Sequence, residues 1–182
     1  MLDASGIRDE NEVLGNRRPD LGCYHMVVTH MDSNYDKYNA VIATLQVLHG
    51  KTKDGSPVNQ QVGRELTHMM FLDDNGQYTD KHLRFAVATR LIEPGTKRES
   101  VDWQEAVGRQ CVATIEQGTA KGTGNPFSQI ANYGLAIWHP LNPEVKDIPK
   151  DQEALKLLGN SGNATNPPPS DPQPGGSDWS KI

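Results

Sequence analysis

The sequence predicts a mainly β protein: a five-stranded barrel with one helix between the third and fourth strands, followed by a disordered C-terminal tail. Three observations predict it: short runs of alternating apolar residues, one stretch with helical spacing, and a polar end rich in Pro and Gly. The 182 residues suffice for one domain with appendages. We expect a flexible N-terminal arm over 1–20, the barrel domain over 21–140, a linker with a short helix over 141–158, and the tail over 159–182.

Three strands are predicted in the first half of the chain, over 22–30, 39–48 and 63–72. Asp54-Gly55 is the strongest turn signal between the second and the third. The second strand alternates most clearly, and the side chains expected on one of its faces are Val41, Ala43, Leu45 and Val47. Those expected on its other face are Ile42, Thr44, Gln46 and Leu48.

The hydrophobic period then changes from that of a strand to that of a helix. Leu83, Val87 and Leu91 recur at four-residue spacing, which predicts an amphipathic helix over 80–92. Further strands are predicted over 107–116 and 128–138. Two tryptophans flank these strands: Trp103 is expected to pack at the entry to the fourth strand and Trp138 to close the fifth.

A helix between the third and fourth of five strands is the element order of an OB-fold, a small Greek-key barrel. A five-stranded open sheet has the same order of elements along the chain and is the alternative. The sequence by itself does not separate the two.

Composition and charge exclude several classes of protein. The net charge of −5 does not indicate a nucleic-acid binder, although a local basic groove is compatible with a neutral or acidic total. No run approaches the roughly 18–20 apolar residues of a membrane span, and no secretory signal is visible at the N-terminus. With only two cysteines, Cys23 and Cys111, we expect a soluble cytoplasmic protein with reduced thiols and no membrane contact.

The sequence offers no positive case for an enzyme. Its six histidines are scattered and form no metal-binding motif, so no metal is expected. No nucleophile signature and no convincing pair of carboxylates is present. Gly50-Lys51-Thr52 resembles the end of a phosphate-binding loop, but Leu45 stands where that loop needs Gly, and Pro57 prevents the helix that should follow. We therefore predict a protein without catalytic residues or cofactor.

Aromatic and basic residues on the presumed barrel are the remaining candidates for a site. Binding of single-stranded nucleic acid requires flat side chains for base stacking and cations along the backbone. Such residues cluster in three places around connections between strands, and in an OB-fold these belong to the two loop regions that flank the binding face. They are Tyr35, Lys37 and Tyr38; Lys51, Lys53 and Arg64; and Lys121, Phe127 and Tyr133. A solvated turn and a core tyrosine produce the same pattern, so a scaffold role stays open.

Several short motifs resemble those of a phage-encoded family of uncharacterised proteins that look like OB-fold single-stranded DNA-binding proteins. They are Gly63-Arg64-Glu65-Leu66 before the third strand, Gly108-Arg109-Gln110-Cys111-Val112 in the fourth, and Asn132-Tyr133-Gly134 in the last. The resemblance covers about residues 22–140. It implies non-specific binding of single-stranded DNA during phage-type replication, recombination or repair, in the cytoplasm of the host cell.

The tail is expected to bind replication or recombination proteins, because Trp179 and Ile182 are large apolar residues in a polar segment. The alternative function is a β-barrel module that binds protein and no nucleic acid. The sequence leaves open whether the chain forms a homo-oligomer.

Overall fold

The described part of the chain folds into a sheet of six antiparallel strands with two helices, so the prediction of a mainly β protein is confirmed. The computed structural model describes residues 18–33, 35–95, 100–132 and 136–161. The strands are β1 Gly22–Asp32, β2 Ala40–Thr52, β3 Glu65–Phe71, β4 Gln110–Thr119, β5 Pro126–Ile130 and β6 Ile137–Trp138. The helices are α1 Asp80–Ala88 and α2 Gln152–Ser161, and one further helical turn, Tyr35–Tyr38, precedes β2.

The strands are hydrogen-bonded in the order β3-β2-β1-β4-β5. This order, with α1 between β3 and β4, is compatible with the predicted element order of an OB-fold. β3 and β5 approach each other in space, but no hydrogen-bonded ladder joins them within the described part of the chain. Closure into a barrel is therefore not confirmed. Within the described residues, β5 is short and its ladder with β4 ends at Ile130.

The predicted fifth strand is two strands, which makes the prediction of five strands wrong. β5 and β6 both pair with β4, and the chain leaves the ladder between them. Ala131 N donates to Thr114 O at 2.8 Å, and Thr114 N donates to Ala136 O at 2.9 Å. Because Ala131 and Ala136 both bond to Thr114, the chain leaves β4 and returns to it at the same position. Alternating apolar residues continue through this segment, so the pattern alone does not reveal the break.

The core lies between the inner face of the sheet and α1. On β2 the face predicted to be apolar is buried and the opposite face is partly exposed, as expected. Trp103 is buried at the entry to β4, where its indole Nε1 donates to the Tyr78 hydroxyl at 3.1 Å. Trp138, in contrast, is only partly buried.

Helix α1 is shorter than predicted and buries a different face. Leu83 is exposed, whereas His82 and Phe85 are buried. A capping box joins Thr79 to His82 and turns the His82 side of the first turn inward. The helix ends at Ala88 because Leu91 N bonds to Ala86 O while Arg90 adopts a φ of 59°. This is the hydrogen-bond pattern of a Schellman motif, with Arg90 in the left-handed position that Gly usually occupies.

The segment expected to be a linker, 141–158, packs against the sheet and contains the predicted short helix as the start of α2. His25 on β1 joins the helix to β4: its Nδ1 accepts from Asp151 N at 3.1 Å, and its Nε2 lies 2.9 Å from Gln110 Oε1. Gln110 Nε2 in turn donates to Ala154 O at 2.7 Å. The first turn of α2 is therefore attached to the outer side of β1 and β4.

Candidate nucleic-acid interface

Among the described elements, α2 attaches to the outer side of β1 and β4, and the outer face of β2 and β3 keeps exposed side chains. Cross-strand pairs order the side chains of this face: Ile42 lies opposite Met69, and Thr44 lies opposite Thr67. Phe71 follows at the end of β3 and is 53% exposed, while Met69 is 36% exposed. We refer to Ile42, Thr44, Thr67, Met69 and Phe71 as the β2–β3 face. It presents a flat aromatic ring and a thioether to solvent.

A predicted aromatic and a predicted cation lie at one end of this face. Tyr38 is 38% exposed, and Lys37 Nζ lies 4.6 Å from the centroid of its ring. A hydrogen bond to Tyr38 raises the pKa of Lys37. Asn39 O accepts from Leu72 N at 3.0 Å, which places this connection beside the Phe71 end of the β2–β3 face. The side chain of Tyr35, the third predicted residue here, lies outside what the structure describes.

The other end of β2 brings two predicted lysines close to a predicted aromatic residue that is distant from them in sequence. Lys53 and Phe127 line an open groove of about 780 Å³, together with Arg18. Lys51 lines an adjoining groove of about 670 Å³ that also includes Lys53. We refer to Arg18, Lys51, Lys53 and Phe127 as the end groove. Three cations and an aromatic ring therefore meet where the β2–β3 connection approaches the β4–β5 hairpin. The carboxylates of Asp20, Asp54 and Glu116 line the same grooves.

Phe127 contributes to packing as well as to this groove. It pairs with Gly118 across β4 and β5, and a Cβ atom added to Gly118 would lie 2.8 Å from the edge of the Phe127 ring. The ring therefore lies over the glycine and is only partly exposed. Stacking of a base on Phe127 would use the remaining exposed surface.

The sequence assigns Arg64 to phosphate contact, but the structure commits its guanidinium elsewhere. The Arg64 side chain is 14% exposed, and its Nη1 lies 3.3 Å from Asp20 Oδ1. The same nitrogen donates to the Oε1 of Gln61, a fully buried residue that also donates to Asp20. Because Arg64 holds the entry to β1 in this network, we leave it out of the proposed contacts.

The other predicted residues are not brought into either group. Lys121 is exposed in the turn between β4 and β5 and does not line the two grooves. Tyr133, Trp179 and Ile182 lie outside the described residues.

Phe71 and Met69 are the candidate residues that the sequence analysis missed. β3 reads ELTHMMF and is apolar on both sides of its alternation, with Leu66 and Met70 on the buried face. The signal that could have identified them is an edge strand with apolar residues on both of its faces. A strand of this kind has more apolar surface than one core can cover.

His68, on β3, is buried beside α1. Burial lowers the pKa of His68 to about 3, and the ring lies 6.1 Å from that of Phe85. Within the described ranges no three His, Cys, Asp or Glu residues lie close enough to hold a metal ion. No helix among the same residues is long and apolar enough to cross a membrane.

No protein-family model matches this chain, and none of the curated proteins matches it.

Proposed function

We propose that this protein binds single-stranded DNA non-specifically, in phage-type replication, recombination or repair in the host cytoplasm. The observation that carries the proposal is that Phe71 and Met69 are exposed side by side on the β2–β3 face in the described structure. In OB-folds the face of strands 2 and 3 is the surface that binds oligonucleotides, and the strand order here is compatible with that topology. Strand order relates this chain to OB-folds by analogy, whereas the exposed Phe71 ring is a property of this chain.

The two predicted groups of cations suit the ends of one path along β2. Lys37 and Tyr38 precede Ala40, and Lys51 lies at the other end of the strand. The 13 residues of β2 extend over about 40 Å. A single strand along this path would stack bases on Phe71 and Tyr38 and place phosphates near Lys51 and Lys53. Sites of about 4–16 nucleotides are typical of one OB-fold, which is compatible with such a path.

The charges along the proposed path set the expected affinity for single-stranded DNA and its dependence on salt. The chain carries a net charge of −5, and the proposed path offers Lys37, Lys51, Lys53 and Arg18 as cations. For single strands, each phosphate contact contributes a slope of about −0.7 to the plot of log affinity against log salt. Three or four contacts therefore predict a slope of about −2 to −3, and an affinity that is modest at physiological salt.

The direct test is fluorescence anisotropy of a labelled oligo-dT of about 30 nucleotides, long enough for at least one complete site. The full chain is titrated at low and at moderate salt, with a duplex of equal length as competitor. We expect binding that weakens with salt at the predicted slope and that the duplex fails to displace. Absence of binding at low salt would contradict the proposal.

Variants locate the interaction on the β2–β3 face. Phe71→Ala removes one stacking platform and should weaken binding about tenfold, since one stacked base contributes about 1–3 kcal/mol. Leu83→Ala is the matched control, because Leu83 is also 53% exposed but lies on α1.

Lys51→Gln with Lys53→Gln should reduce the magnitude of the salt slope by about 1.4. Equal effects of Phe71→Ala and Leu83→Ala would remove the β2–β3 face from the proposal.

A protein-interaction module is the second candidate, and the apolar character of the β2–β3 face favours it. The five residues that define the face include no Lys or Arg. This function predicts no salt-dependent affinity for DNA and no effect of the double lysine variant. The anisotropy titration therefore separates the two functions.

A further inference from the structure

An apolar cavity of about 550 Å³ lies between α1 and β6, away from the proposed DNA path. Leu83, Val87, Ile137 and Trp138 contribute its apolar surface. Its volume is within the usual range of about 300–1,000 Å³ for ligand sites. Leu83 is an exposed large apolar residue in the described structure, and its exposure on the wall of a cavity indicates a surface that is covered on binding.

Cationic and polar groups surround this apolar surface. Arg84 and Arg90 line the cavity together with His139 and Asn142. Arg84 Nη1 donates to Asn132 O at 3.2 Å, and Arg90 is held in place by the left-handed end of α1. The nearest acid that pairs with them in the described structure is Glu93, 3.0 Å from Arg90 Nη1. The cavity therefore suits a flat apolar group that has a carboxylate beside it.

One buried donor in the wall has no hydrogen-bond partner in the described structure. The indole Nε1 of Trp138 is such a donor, and Trp138 lines the cavity.

Burial lowers the pKa of His139, which also lines the cavity, and Arg90 adds to this effect. His139 is consequently neutral at pH 7, so the two arginines supply the positive charge around the cavity.

The C-terminal segment of this chain contains the matching chemistry. Between 162 and 182 the large apolar side chains other than proline are Trp179 and Ile182, and Asp178 directly precedes the tryptophan. We propose that residues 177–182 occupy the cavity of the same chain, with the Trp179 indole against Leu83 and Trp138 and the Asp178 carboxylate on Arg84 and Arg90. This inference does not rest on DNA binding.

The path of the chain permits this contact. Gln110, at the start of β4, bonds to Ala154 of α2, and its neighbour Arg109 donates to the carbonyl oxygens of Thr89 and Arg90. Helix α2 and the cavity therefore lie at the same end of β4. From the end of α2 at Ser161, residues 162–177 can extend over up to about 55 Å, which is more than a small domain requires.

The N-terminal segment is a less suitable occupant because it joins the fold at the opposite end. Arg18 lies in the end groove, and Gly22, where β1 begins, pairs with Ile115 in the second half of β4. The cavity lies beside the first half of β4, where Val112 pairs with Trp138.

The test uses the full chain with Trp179→Ala, which leaves the cavity vacant, and a labelled peptide of residues 171–182. We expect saturable binding of the peptide, lost when its Trp179 is replaced by Ala. Arg84→Glu with Arg90→Glu in the protein should weaken binding at least tenfold, and Leu83→Ala several-fold. Lys81→Glu is the control, since Lys81 is exposed on the same helix and does not line the cavity. No peptide binding, or equal binding to all of these variants, would overturn the proposal.

A second measurement asks whether the segment binds within its own chain. With 5-fluorotryptophan in the full chain, Trp179→Ala assigns one ¹⁹F resonance, and Leu83→Ala should shift that resonance toward the position of the free peptide. The resonance should not change on dilution. A shift on dilution, together with a dimer that Trp179→Ala dissociates, would replace the intramolecular contact with one between copies. Phe71→Ala should leave the peptide affinity unchanged, which keeps this test independent of DNA binding.

Discussion

Close packing at single residues decides how β1 and β2 meet. Tyr24 is fully buried, and burial raises the pKa of its hydroxyl to about 12. Gly50 lies opposite Tyr24 in the ladder with a φ of 146°. A Cβ atom at Gly50 would lie 2.5 Å from Cys23 O and 2.6 Å from Tyr24 Cα. Only glycine fits here, because the obstructing atoms belong to the backbone and cannot rotate away.

Gly50→Ala should therefore destabilise the fold by about 2–4 kcal/mol, from the unfavourable φ and from the forced separation of β1 and β2. Urea unfolding followed by circular dichroism measures the change. Gly55→Ala is the control: Gly55 also has a positive φ, 79°, but nothing lies within 4 Å of the added atom. We expect Gly55→Ala to lower the free energy of unfolding by only about 1 kcal/mol. Similar losses for both variants would show that the close approach at Gly50 is unimportant.

At the scale of elements, one buried polar chain attaches α2 to the sheet. Because His25 Nδ1 accepts from Asp151 N, its Nε2 carries the proton and donates to Gln110 Oε1. The Gln110 amide then donates to Ala154 O, and the Asp151 carboxylate accepts from Ala154 N at 2.8 Å. Each of these polar groups thus has a hydrogen-bond partner within the network. Their arrangement explains why residues 141–158 pack on the sheet.

Gln110→Ala should detach α2 from the sheet and lower the free energy of unfolding by about 1–3 kcal/mol, because it leaves the His25 ring and a carbonyl group without partners. Hydrogen exchange of the amides over 152–158 measures detachment directly. Gln152→Ala serves as the control, since Gln152 lies in the same helix and its side chain donates to Lys150 O at an exposed position. Unchanged exchange in Gln110→Ala would contradict this account.

For the whole molecule, buried histidines link stability to pH. Burial lowers the pKa values of His25, His68 and His82 from the ordinary value of 6.5, and that of His68 falls to about 3. The folded state therefore binds fewer protons than the unfolded state at acidic pH. The stability that this difference contributes is complete above about pH 6.5, and it is lost as the pH falls toward the folded-state pKa values.

The free energy of unfolding should fall between pH 6.5 and pH 5, with His68 alone contributing up to about 2 kcal/mol of the loss. Lys81 and His82 also oppose a positive charge on His68, so protonation is not compensated by either neighbour. His68→Leu should flatten the profile in denaturant titrations, whereas His30→Leu should not, because His30 is exposed on β1. An unchanged slope in His68→Leu would contradict the assignment.

Local sequence determines much of this fold. The alternation in β2 predicts which of its faces is buried, because a strand places successive side chains on opposite sides. Turn residues and the change of period predict one helix between the third and fourth strands. The end of that helix escapes prediction, since Arg90 occupies the left-handed position without the glycine that usually marks it.

Tertiary structure alone decides the rest, because it concerns contacts between residues that are far apart in the chain. Lys53 and Phe127 meet in one groove, and Arg64, which reads as a surface cation like Lys51, is instead paired with Asp20. Phe71 faces water because Leu66 and Met70, on the other face of β3, pack in the core with α1, and β3 carries apolar residues on both faces. Sequence by itself thus determined the elements and the kind of residues at the candidate interface. The packing of distant segments decided which of those residues are exposed together.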